Sequence, residues 1–403
     1  MKAIVLGGGG ILGLALLVYL KHQEDIREIL VTDIQERVIK ERVAWLDDSR
    51  FMVKEVDASD YNSLVRAIKG YGLVLNVSRI RDKTVAMKAA LEAGAHYIDC
   101  GVEQIDEKLA LNGEFRKKGF LAVFDMYYSP GLHNILAAYA VEQLDRVESV
   151  DFRWAVVDIV PAWEHSRKLY GGFSLAGYIL HHYTRLSKRW ENGKMVELPP
   201  RAAPETFTFK GPIGTVEVAG LPGDSMCDLA KIRPDIPYIS FKEALGAEMD
   251  QSCQLLVSLG FNQEEPMNIN GQKVSPWAIL QELANRQSPE SKKAPDIRHG
   301  GCAIAKGTKG RQMVEYRVEA WPSESLVQRY KDMGCAKYGG PGGVFRCGSP
   351  MGSLAVLIAR GRIKSSGAFL PEAAVPAKEF LQQEVSMGMN VEITKTIILG
   401  DKV

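Results

Sequence analysis

Short apolar runs alternate with helix-like stretches along the first 131 residues of the chain. The apolar runs are KAIVL (2–6), REILVTD (27–33), FMVKEVDASD (51–60), GLVLNVS (72–78), HYIDCG (96–101) and FLAVFDMYYSPG (120–131). Continuous apolar runs of this kind are typical of strands that are buried on both faces of a sheet. Their alternation with helical segments predicts a doubly wound parallel sheet with helices on both faces, which is the α/β architecture of a Rossmann domain.

A different pattern begins after about residue 145. Strand-like runs are separated here by hairpin and turn signals, which are NGK (192–194), FKGPIGTVEVAGLPGD (209–224) and MNINGQKV (267–274). These signals predict a second, α+β domain with a mixed, largely antiparallel sheet. Beyond GGPGG (339–343), the pattern gives an apolar helix, then a further helix and a strand. We place the domain boundaries at residues 135 and 345, which leaves 346–403 as a C-terminal region.

The composition is that of a globular protein with two or three domains. Of its 403 residues, 46% are hydrophobic and 25% are charged, and the formal net charge is +1. A balanced charge gives no footprint for nucleic acid or for a membrane surface. The six cysteines form no C-x-x-C pair and no histidine lies at zinc-ligand spacing from them, so we expect reduced cysteines and no bound metal.

The stretch IVLGGGGILGLALLVYL (4–20) has three interpretations: the core of a signal peptide, a membrane span, or a strand, glycine turn and helix. Its glycines would each weaken an apolar helix by about 1 kcal/mol. The stretch runs into KHQE (21–24) without a small-residue cleavage site, and a second apolar strand follows. We therefore expect a cytoplasmic protein in which this stretch begins the first domain.

Read from Gly8, the glycines give the spacing Gly8-x-Gly10-x-x-Gly13, which is the fingerprint of dinucleotide binding. Gly8 permits the tight turn, Gly10 lets the backbone approach a pyrophosphate, and Gly13 lets the helix pack close to the strand. The N-terminus of that helix then offers its N–H groups to phosphate. In this frame Gly7 is a surplus residue that widens the turn.

Polar residues at the ends of the next three strands complete the expected cofactor site. Asp33 lies twenty residues after Gly13, at the end of the second strand, where an acid binds the hydroxyl groups of a ribose. An acid there favours NAD over NADP because it repels a 2′-phosphate, although NADP stays open. The residues that we expect to bind the dinucleotide are Gly8, Gly10, Ile11, Leu12, Gly13, Asp33, Asp57, Asn76 and Ser78.

Motifs farther along the chain resemble those of the saccharopine dehydrogenase family. The segment 94–99 matches G-x-x-Y-x-D, and the segment 130–134 matches the P-G-x-x-N that opens a helix in that family. The segments FSLAGYILHHYT (173–184), NGK and FKGPIGTVE, and the ending ARGRIKSSGAFLPEAAVPAKEFLQQ, follow the order seen in lysine 6-dehydrogenase-like members. The resemblance covers nearly the whole chain.

The resemblance implies an NAD(P)-dependent oxidoreductase that acts on the C–N bond of an amino acid or related amine, of lysine 6-dehydrogenase or saccharopine dehydrogenase type. It also implies that 136–345 form a domain for substrate binding and dimerisation, that the last helices in 346–403 return to the Rossmann domain, and that the protein is a homodimer. Two alternatives stay open: a polyamine- or opine-type reductase that joins an amine to a carbonyl, and a non-catalytic dinucleotide sensor.

Oxidation of an amine by hydride transfer requires a group that accepts the proton of the amine. Asp99 and Tyr97 end a strand at the expected crevice, and His133 lies in the Pro-Gly turn, so these three are our candidate catalytic residues. For substrate binding, the candidates are Cys100, Tyr128, Asn134, His165, Arg167 and His181. We therefore expect a small amino acid or amine as the partner, and no nucleic acid, membrane or metal.

Overall fold

The chain folds into two compact units. The computed structural model describes residues 1–158, 179, 182–222, 224–286, 296–333 and 344–399. The first unit comprises Met1–Tyr139 and Ser323–Met389, and the second comprises Ala140–Pro322 and Asn390–Val403. The sequence prediction placed the domain boundaries at residues 135 and 345.

Strands and helices alternate along the first part of the chain, as the apolar pattern predicts. The strands are β1 (Lys2–Leu6), β2 (Glu28–Asp33), β3 (Phe51–Glu55), β4 (Leu73–Asn76), β5 (His96–Asp99) and β6 (Leu121–Val123). The helices are α1 (Ile11–Lys21), α2 (Glu36–Leu46), α3 (Tyr61–Ile68), α4 (Lys83–Ala93), α5 (Ile105–Ala110), α6 (Asn112–Lys118) and α7 (Leu132–Glu142). The stretch IDEKLALNGEFRKKG forms the two helices α5 and α6.

The middle of the chain is rich in strands. They are β7 (Arg146–Asp158), β8 (Ser187–Glu191), β9 (Lys194–Leu198), β10 (Glu205–Thr208), β11 (Thr215–Gly220), β12 (Tyr238–Ala244), β13 (Met267–Ile269), β14 (Gln272–Val274), β15 (Ile297–Lys309) and β16 (Gln312–Pro322). The helices are α8 (Asp224–Cys227), α9 (Leu229–Ile232), α10 (Ala247–Ser258) and α11 (Pro276–Arg286). The Asn-Gly pairs at 192–193 and 270–271 adopt positive φ angles, which confirms the two hairpins that they predict.

The C-terminal part supplies further helices and two strands. They are α12 (Glu324–Asp332), a π-helical turn (Val344–Gly348), α13 (Ser349–Ala359), β17 (Gly367–Phe369), α14 (Pro371–Ala374), α15 (Ala377–Ser386) and β18 (Met389–Ile398). The long apolar helix that the sequence predicts before Gly361 is α13. Strand β17 was not predicted, because three residues are too few to show a periodic pattern.

The first unit contains a seven-stranded sheet in the order β17-β6-β5-β4-β1-β2-β3. Every pair of neighbouring strands in it is parallel. The chain fills one half of the sheet with β1, β2 and β3 and then crosses to β4, so the strand order reverses between β1 and β4. Ligands of doubly wound sheets bind at the carboxyl ends of the strands beside such a reversal.

Helix α1 is apolar on all sides because it is buried on all sides. All its residues from Gly13 to Leu20 are buried, and α13 and the π-helical turn pack against it. The hydroxyl oxygen of Tyr19 in α1 lies 2.6 Å from Oγ of Ser353 in α13. The apolar stretch near the N-terminus is therefore a strand, a turn and a core helix. Among the described residues, no helix is both long and apolar enough to cross a membrane.

The second unit is built on a nine-stranded mixed sheet. Its main path is β10-β11-β12-β7-β15-β16-β18, and β8 pairs with β12 and β9. Strand β7 runs parallel to β12 and antiparallel to β15. A buried cluster that includes Ala155, Phe209, Val218 and Cys302 packs on this sheet. The parallel sheet of a Rossmann domain and the mixed sheet of a second, α+β unit confirm the predicted fold class.

Candidate functional site

The glycine turn joins β1 to α1 at the point where the strand order reverses. Gly7 adopts a φ of +83°, which only glycine tolerates without strain, and the amides of Gly7 and Gly8 both donate to the carbonyl oxygen of Thr32 at 2.9 Å. The expectation that Gly8 makes the turn and that Gly7 is surplus is therefore wrong. Gly7 makes the turn, since it is the residue with the left-handed backbone.

Gly8 and Gly13 are required for close packing. A Cβ atom on Gly8 would lie 2.2 Å from Cγ1 of Val31, and one on Gly13 would lie 2.4 Å from the carbonyl oxygen of Gly7. Gly13 therefore lets α1 begin directly against the turn, as predicted from the fingerprint. Gly10 is the N-cap of α1 and no side chain caps it. The first amides of α1, at Ile11 and Leu12, thus suit an anion such as a pyrophosphate.

Asp33 ends β2 and is held against the glycine turn. Its Oδ2 accepts a hydrogen bond from the amide of Gly9 at 3.0 Å, and its Oδ1 accepts one from the amide of Ile34 at 2.8 Å. Arg42 on α2 donates through Nη1 to the carbonyl oxygen of Gly10 at 3.1 Å. The structure therefore brings Asp33 and the glycines together, and it adds Arg42, which the sequence analysis did not select.

Asp57 follows β3 and stabilises its own turn. Its Oδ1 accepts hydrogen bonds from the hydroxyl of Ser59 at 2.7 Å and from the amide of Ser59 at 2.8 Å. These bonds lower the pKa of the Asp57 carboxyl from its ordinary value, the hydroxyl having the larger effect. An ionised, exposed carboxylate at this strand end is compatible with the predicted contact to the adenosine half of a dinucleotide.

Asn76, Tyr97 and Asp99 form one buried network at the carboxyl ends of β4 and β5. The amide nitrogen Nδ2 of Asn76 donates to the hydroxyl of Tyr97 at 2.8 Å, and that hydroxyl donates to Oδ2 of Asp99 at 3.0 Å. Asp99 Oδ1 accepts from the amide of Gly101 at 3.0 Å and lies 3.2 Å from Nζ of Lys108. Burial, and after it the charge of Asp99, raises the pKa of Tyr97 well above its ordinary value, so the phenol is a proton donor in this network.

Ser78 connects this network to the glycine turn. Its amide and its hydroxyl both donate to Oδ1 of Asn76, at 3.0 and 2.7 Å. Nζ of Lys83 donates to the carbonyl oxygen of Ser78. The backbone of Ser78 is so close to Gly7 that a Cβ on Gly7 would lie 2.6 Å from Cα of Ser78. Asn76 and Ser78 therefore lie beside the turn, where the sequence predicts that they contact the dinucleotide.

The segment after β6 holds Tyr128, His133 and Asn134, and all three are buried. Nδ1 of His133 lies 3.1 Å from Oγ of Ser129. Oδ1 of Asn134 accepts from the amide of Gly131 at 3.1 Å, and Nδ2 of Asn134 donates to Oε1 of Glu372 at 3.1 Å. Asn134 thus holds the turn that opens α7. The amide of Met126 donates to the carbonyl oxygen of Asp99 at 2.8 Å, which brings this segment beside the end of β5.

Cys100 and Asp125 also lie at this edge of the sheet. The partly exposed Cys100 contacts the thiol of Cys347, and this contact and burial raise the pKa of Cys347. Asp125, two residues after β6, is fully buried and has a positive φ of 61°, which is uncommon for aspartate. Asp125 was missed, although FLAVFD shows the same signal as HYID, an acid that ends an apolar strand.

Three predicted substrate residues, His165, Arg167 and His181, lie outside the described residues. Lys108 was also missed, because IDEKLALNGE has the alternation of a solvated helix and gives no sign that a lysine is buried. Within the described ranges, no three His, Cys, Asp or Glu side chains are grouped so that they could hold a metal ion.

Comparison with known proteins shows which family this chain resembles. Residues 3–123 match the family model described as the saccharopine dehydrogenase NADP binding domain. This match agrees with the resemblance to the saccharopine dehydrogenase family that the sequence motifs indicate. The predicted resemblance and the dinucleotide cofactor predicted from the glycine turn and the strand ends are thereby confirmed, and the chain is similar to oxidoreductases of that family.

The relatives include enzymes that are named after polyamine-type compounds. The chain is 21% identical over 399 residues to the carboxyaminopropylagmatine dehydrogenase of Synechocystis, and the match covers 96% of each chain. It is 24% identical over 246 residues to the carboxynorspermidine synthase of Vibrio cholerae, covering 57% of this chain and 58% of that enzyme.

Two solved structures share the fold over the whole chain. Saccharopine dehydrogenase (L-Glu forming) of Saccharomyces cerevisiae has a TM-score of 0.70 at 12% identity, covering 99% of this chain and all of that one. The homospermidine synthase of Legionella pneumophila, solved in complex with NAD, has a TM-score of 0.60 at 11% identity, covering 100% of this chain and 93% of that one. At these identities the likeness concerns the fold.

Proposed function

We propose that this protein is an NAD(P)-dependent oxidoreductase that forms or cleaves the C–N bond between a polyamine-type amine and a carbonyl carbon. The observation that carries the proposal is the match along 96% of the chain to a carboxyaminopropylagmatine dehydrogenase. This corresponds to the alternative that the sequence left open beside oxidation of an amino acid. Both use hydride transfer at a carbon that bears nitrogen, so they differ in substrate and not in chemistry.

The first unit supplies the residues for the dinucleotide. The amides at the start of α1 would hold the pyrophosphate, and Asp33 would hold the ribose hydroxyls of the adenosine half. The bound nicotinamide supplies or accepts the hydride. Because Asp33 is a carboxylate that would repel a 2′-phosphate, we propose NAD as the preferred cofactor.

His133 is our proposed proton acceptor for the substrate amine. Asp99, the other acidic candidate, has Lys108, Gly101 and Tyr97 on its two oxygens, which leaves it poorly placed to exchange a proton with substrate. His133 lies in the first turn of α7, after the segment that contacts the end of β5, and its Nδ1 lies 3.1 Å from Oγ of Ser129. A histidine is the side chain that most often exchanges protons near neutral pH.

The residues that we propose as substrate contacts are Cys100, Tyr128 and Asn134 in the first unit, together with His165, Arg167 and His181. A homodimer is likewise proposed. A cationic amine and a carbonyl compound that carries a carboxylate would need opposite charges in one pocket, and Arg167 is the proposed partner of the carboxylate.

The test is a panel of amine and carbonyl pairs with NADH and NADPH, followed at 340 nm. The amines are agmatine, short diamines and lysine, and the carbonyl partners are an amino-acid semialdehyde and 2-oxo acids. We expect rapid oxidation of NADH or NADPH with one pair that contains a polyamine-type amine, and not with the pairs that contain lysine. Turnover only with the pairs that contain lysine would show that the substrate is an amino acid. Dinucleotide binding with no turnover across the panel would contradict an enzymatic role and favour a sensor.

A further inference from the structure

A buried ion pair lies behind the edge of the sheet that faces the proposed cofactor site. Nζ of Lys108 lies 3.2 Å from Oδ1 of Asp99 and donates to the carbonyl oxygen of Gly101 at 2.7 Å, and both charged side chains are 0% exposed. The same ammonium lies 5.1 Å from the ring centroid of Phe124. Buried ion pairs add little net stability, because desolvation offsets their attraction. This pair therefore requires an explanation other than stability.

The ion pair is the first part of a continuous hydrogen-bonded path. Asp99 Oδ2 accepts from the hydroxyl of Tyr97, and this hydroxyl accepts from Nδ2 of Asn76. With Nδ2 directed at Tyr97, Oδ1 of Asn76 is directed at the amide and the hydroxyl of Ser78. The Asp99 carboxylate at one end and the amide of Ser78 at the other, which can only donate, together fix which way the Asn76 amide points.

The path ends at the glycine turn. Ser78 is held from one side by Asn76 and from the other by Nζ of Lys83, which donates to its carbonyl oxygen. Its Cα occupies the space that a side chain on Gly7 would need. Ser78 therefore packs directly against the turn whose amides would receive the pyrophosphate.

We propose that the Lys108–Asp99 ion pair positions the dinucleotide, acting through Tyr97 and Asn76 on the backbone of Ser78. Lys108 is then a positioning residue, and Tyr97 acts through its hydrogen bonds and not as a proton acceptor. The inference rests on the proposed use of a dinucleotide by this unit. It adds to that function two side chains, Lys108 and Lys83, that no fingerprint includes.

Tyr97→Phe is the decisive variant, because it removes the hydroxyl in the middle of the path and keeps the buried ring. We expect the Kd for NADH, measured by fluorescence titration, to rise about 3- to 10-fold, as for the loss of one hydrogen bond. The rise in Kd should be larger than any fall in kcat measured at saturating NADH. Tyr19→Phe is the matched control, since Tyr19 is equally buried and its hydroxyl contacts Ser353 in another part of the unit. It lowers Tm and leaves the Kd for NADH unchanged.

A double-mutant cycle tests whether Lys108 acts through Tyr97. Lys108→Met should raise the Kd for NADH. The Tyr97→Phe/Lys108→Met double variant should have a Kd for NADH no higher than that of the single variant that binds NADH less tightly. If Lys108→Met fails to fold because Asp99 is left buried without a cation, Lys108→Met/Asp99→Asn replaces it in the cycle, since both charges are then removed.

Three results would overturn the inference. The first is an unchanged Kd for NADH in Tyr97→Phe, and the second is a fall in kcat in that variant at an unchanged Kd. The third is a double variant in which the effects of the two single substitutions on the Kd multiply. All three presuppose that the wild-type protein binds a dinucleotide. Failure of the wild type to bind NADH or NADPH contradicts the proposed function itself, so the two failures are distinguishable.

Discussion

The amide nitrogen of Gly9 lies 3.0 Å from Oδ2 of Asp33, so the glycine turn itself binds the carboxylate that ends β2. A Cβ atom on Gly9 would lie 2.8 Å from that same oxygen, which explains why the third of the four consecutive glycines carries no side chain. The turn and the acid are therefore joined directly. This bond places a negative charge where the adenosine ribose of a dinucleotide would lie.

We predict that Asp33→Asn shifts the cofactor preference from NADH toward NADPH. The single oxygen of asparagine can keep the hydrogen bond from the amide of Gly9 and gives up the one from the amide of Ile34, while the charge that repels a 2′-phosphate is lost. The ratio of kcat/KM for NADPH to that for NADH should rise at least about tenfold, which corresponds to about 1.4 kcal/mol. Glu36→Gln, which removes a charge from the adjoining start of α2, serves as the control. A wild-type preference for NADPH would contradict the role given to Asp33.

Alanine at the glycines separates backbone strain from close packing. Gly7→Ala places a side chain on a residue with a φ of +83°, which costs about 1–2 kcal/mol before its clash with Ser78 is counted. Gly13→Ala forces a Cβ to within 2.4 Å of the carbonyl oxygen of Gly7. Both variants should lose free energy of unfolding and bind NADH weakly.

Gly113→Ala is the control for these variants. Gly113 lies in α6, and an added Cβ there would meet nothing within 4 Å. Since alanine is the better helix former, this variant should gain up to about 1 kcal/mol of stability in a urea titration. If Gly7→Ala were as stable as wild type, the assignment of the turn to Gly7 would be wrong.

The strand ends were predictable because the apolar pattern stops at them. Asp33, Asn76 and Asp99 each follow a run that must be buried on both faces, and parallel strands bring their carboxyl ends to one edge. The choice between Gly7 and Gly8 was not predictable in the same way. Four identical residues give no local signal, and the decision depends on the φ angle that the contact with Thr32 and Ser78 imposes.

The buried charges could not be read from local sequence. Lys108 lies in a segment with the polarity of a surface helix, and only the tertiary contact with Asp99 compensates its charge in the core. The strand β17 depends likewise on its pairing with β6, since its own three residues show no period. Asp125 differs from these cases, because its signal was present and the same rule that selected Asp99 would have selected it.

The carboxyl of Glu384 should make stability depend on pH. It is fully buried between helices, and burial raises its pKa from 4.5 to about 7, against the smaller opposite effects of its hydrogen bonds with Ser349 and Ser353. In the unfolded chain the group ionises near pH 4.5, whereas in the folded chain it keeps its proton up to about pH 7. The stability contributed by the protonated form is therefore full below pH 4.5 and is lost as the pH rises to 7, by about 1.4 kcal/mol per pH unit.

Glu384→Gln removes this titration and keeps an acceptor for the Ser349 hydroxyl. The free energy of unfolding of the variant minus that of wild type should grow between pH 4.5 and 7, to about 3 kcal/mol, and stay constant above. Glu379→Gln on the same helix, where the carboxylate is partly exposed and contacts Arg362, controls for charge removal alone. A difference that does not change with pH would show that folding does not raise the pKa of Glu384.

His133 should be separable from the binding residues by kinetics. His133→Asn retains a polar atom near Oγ of Ser129 but cannot accept a proton, so kcat should fall by about 100-fold or more while the Kd for NADH stays within about twofold. His96→Asn is the matched control, because His96 begins β5 at the opposite edge of the same sheet and its Nδ1 accepts from the amide of Leu121 at 3.0 Å. That variant should lose stability and keep kcat. The contrary result is that His133→Asn keeps kcat while Asp99→Asn lowers kcat at an unchanged Kd for NADH. Asp99 would then exchange the proton although it is paired with Lys108. Both the proton acceptor and the positioning role of the Lys108–Asp99 ion pair would be wrongly assigned.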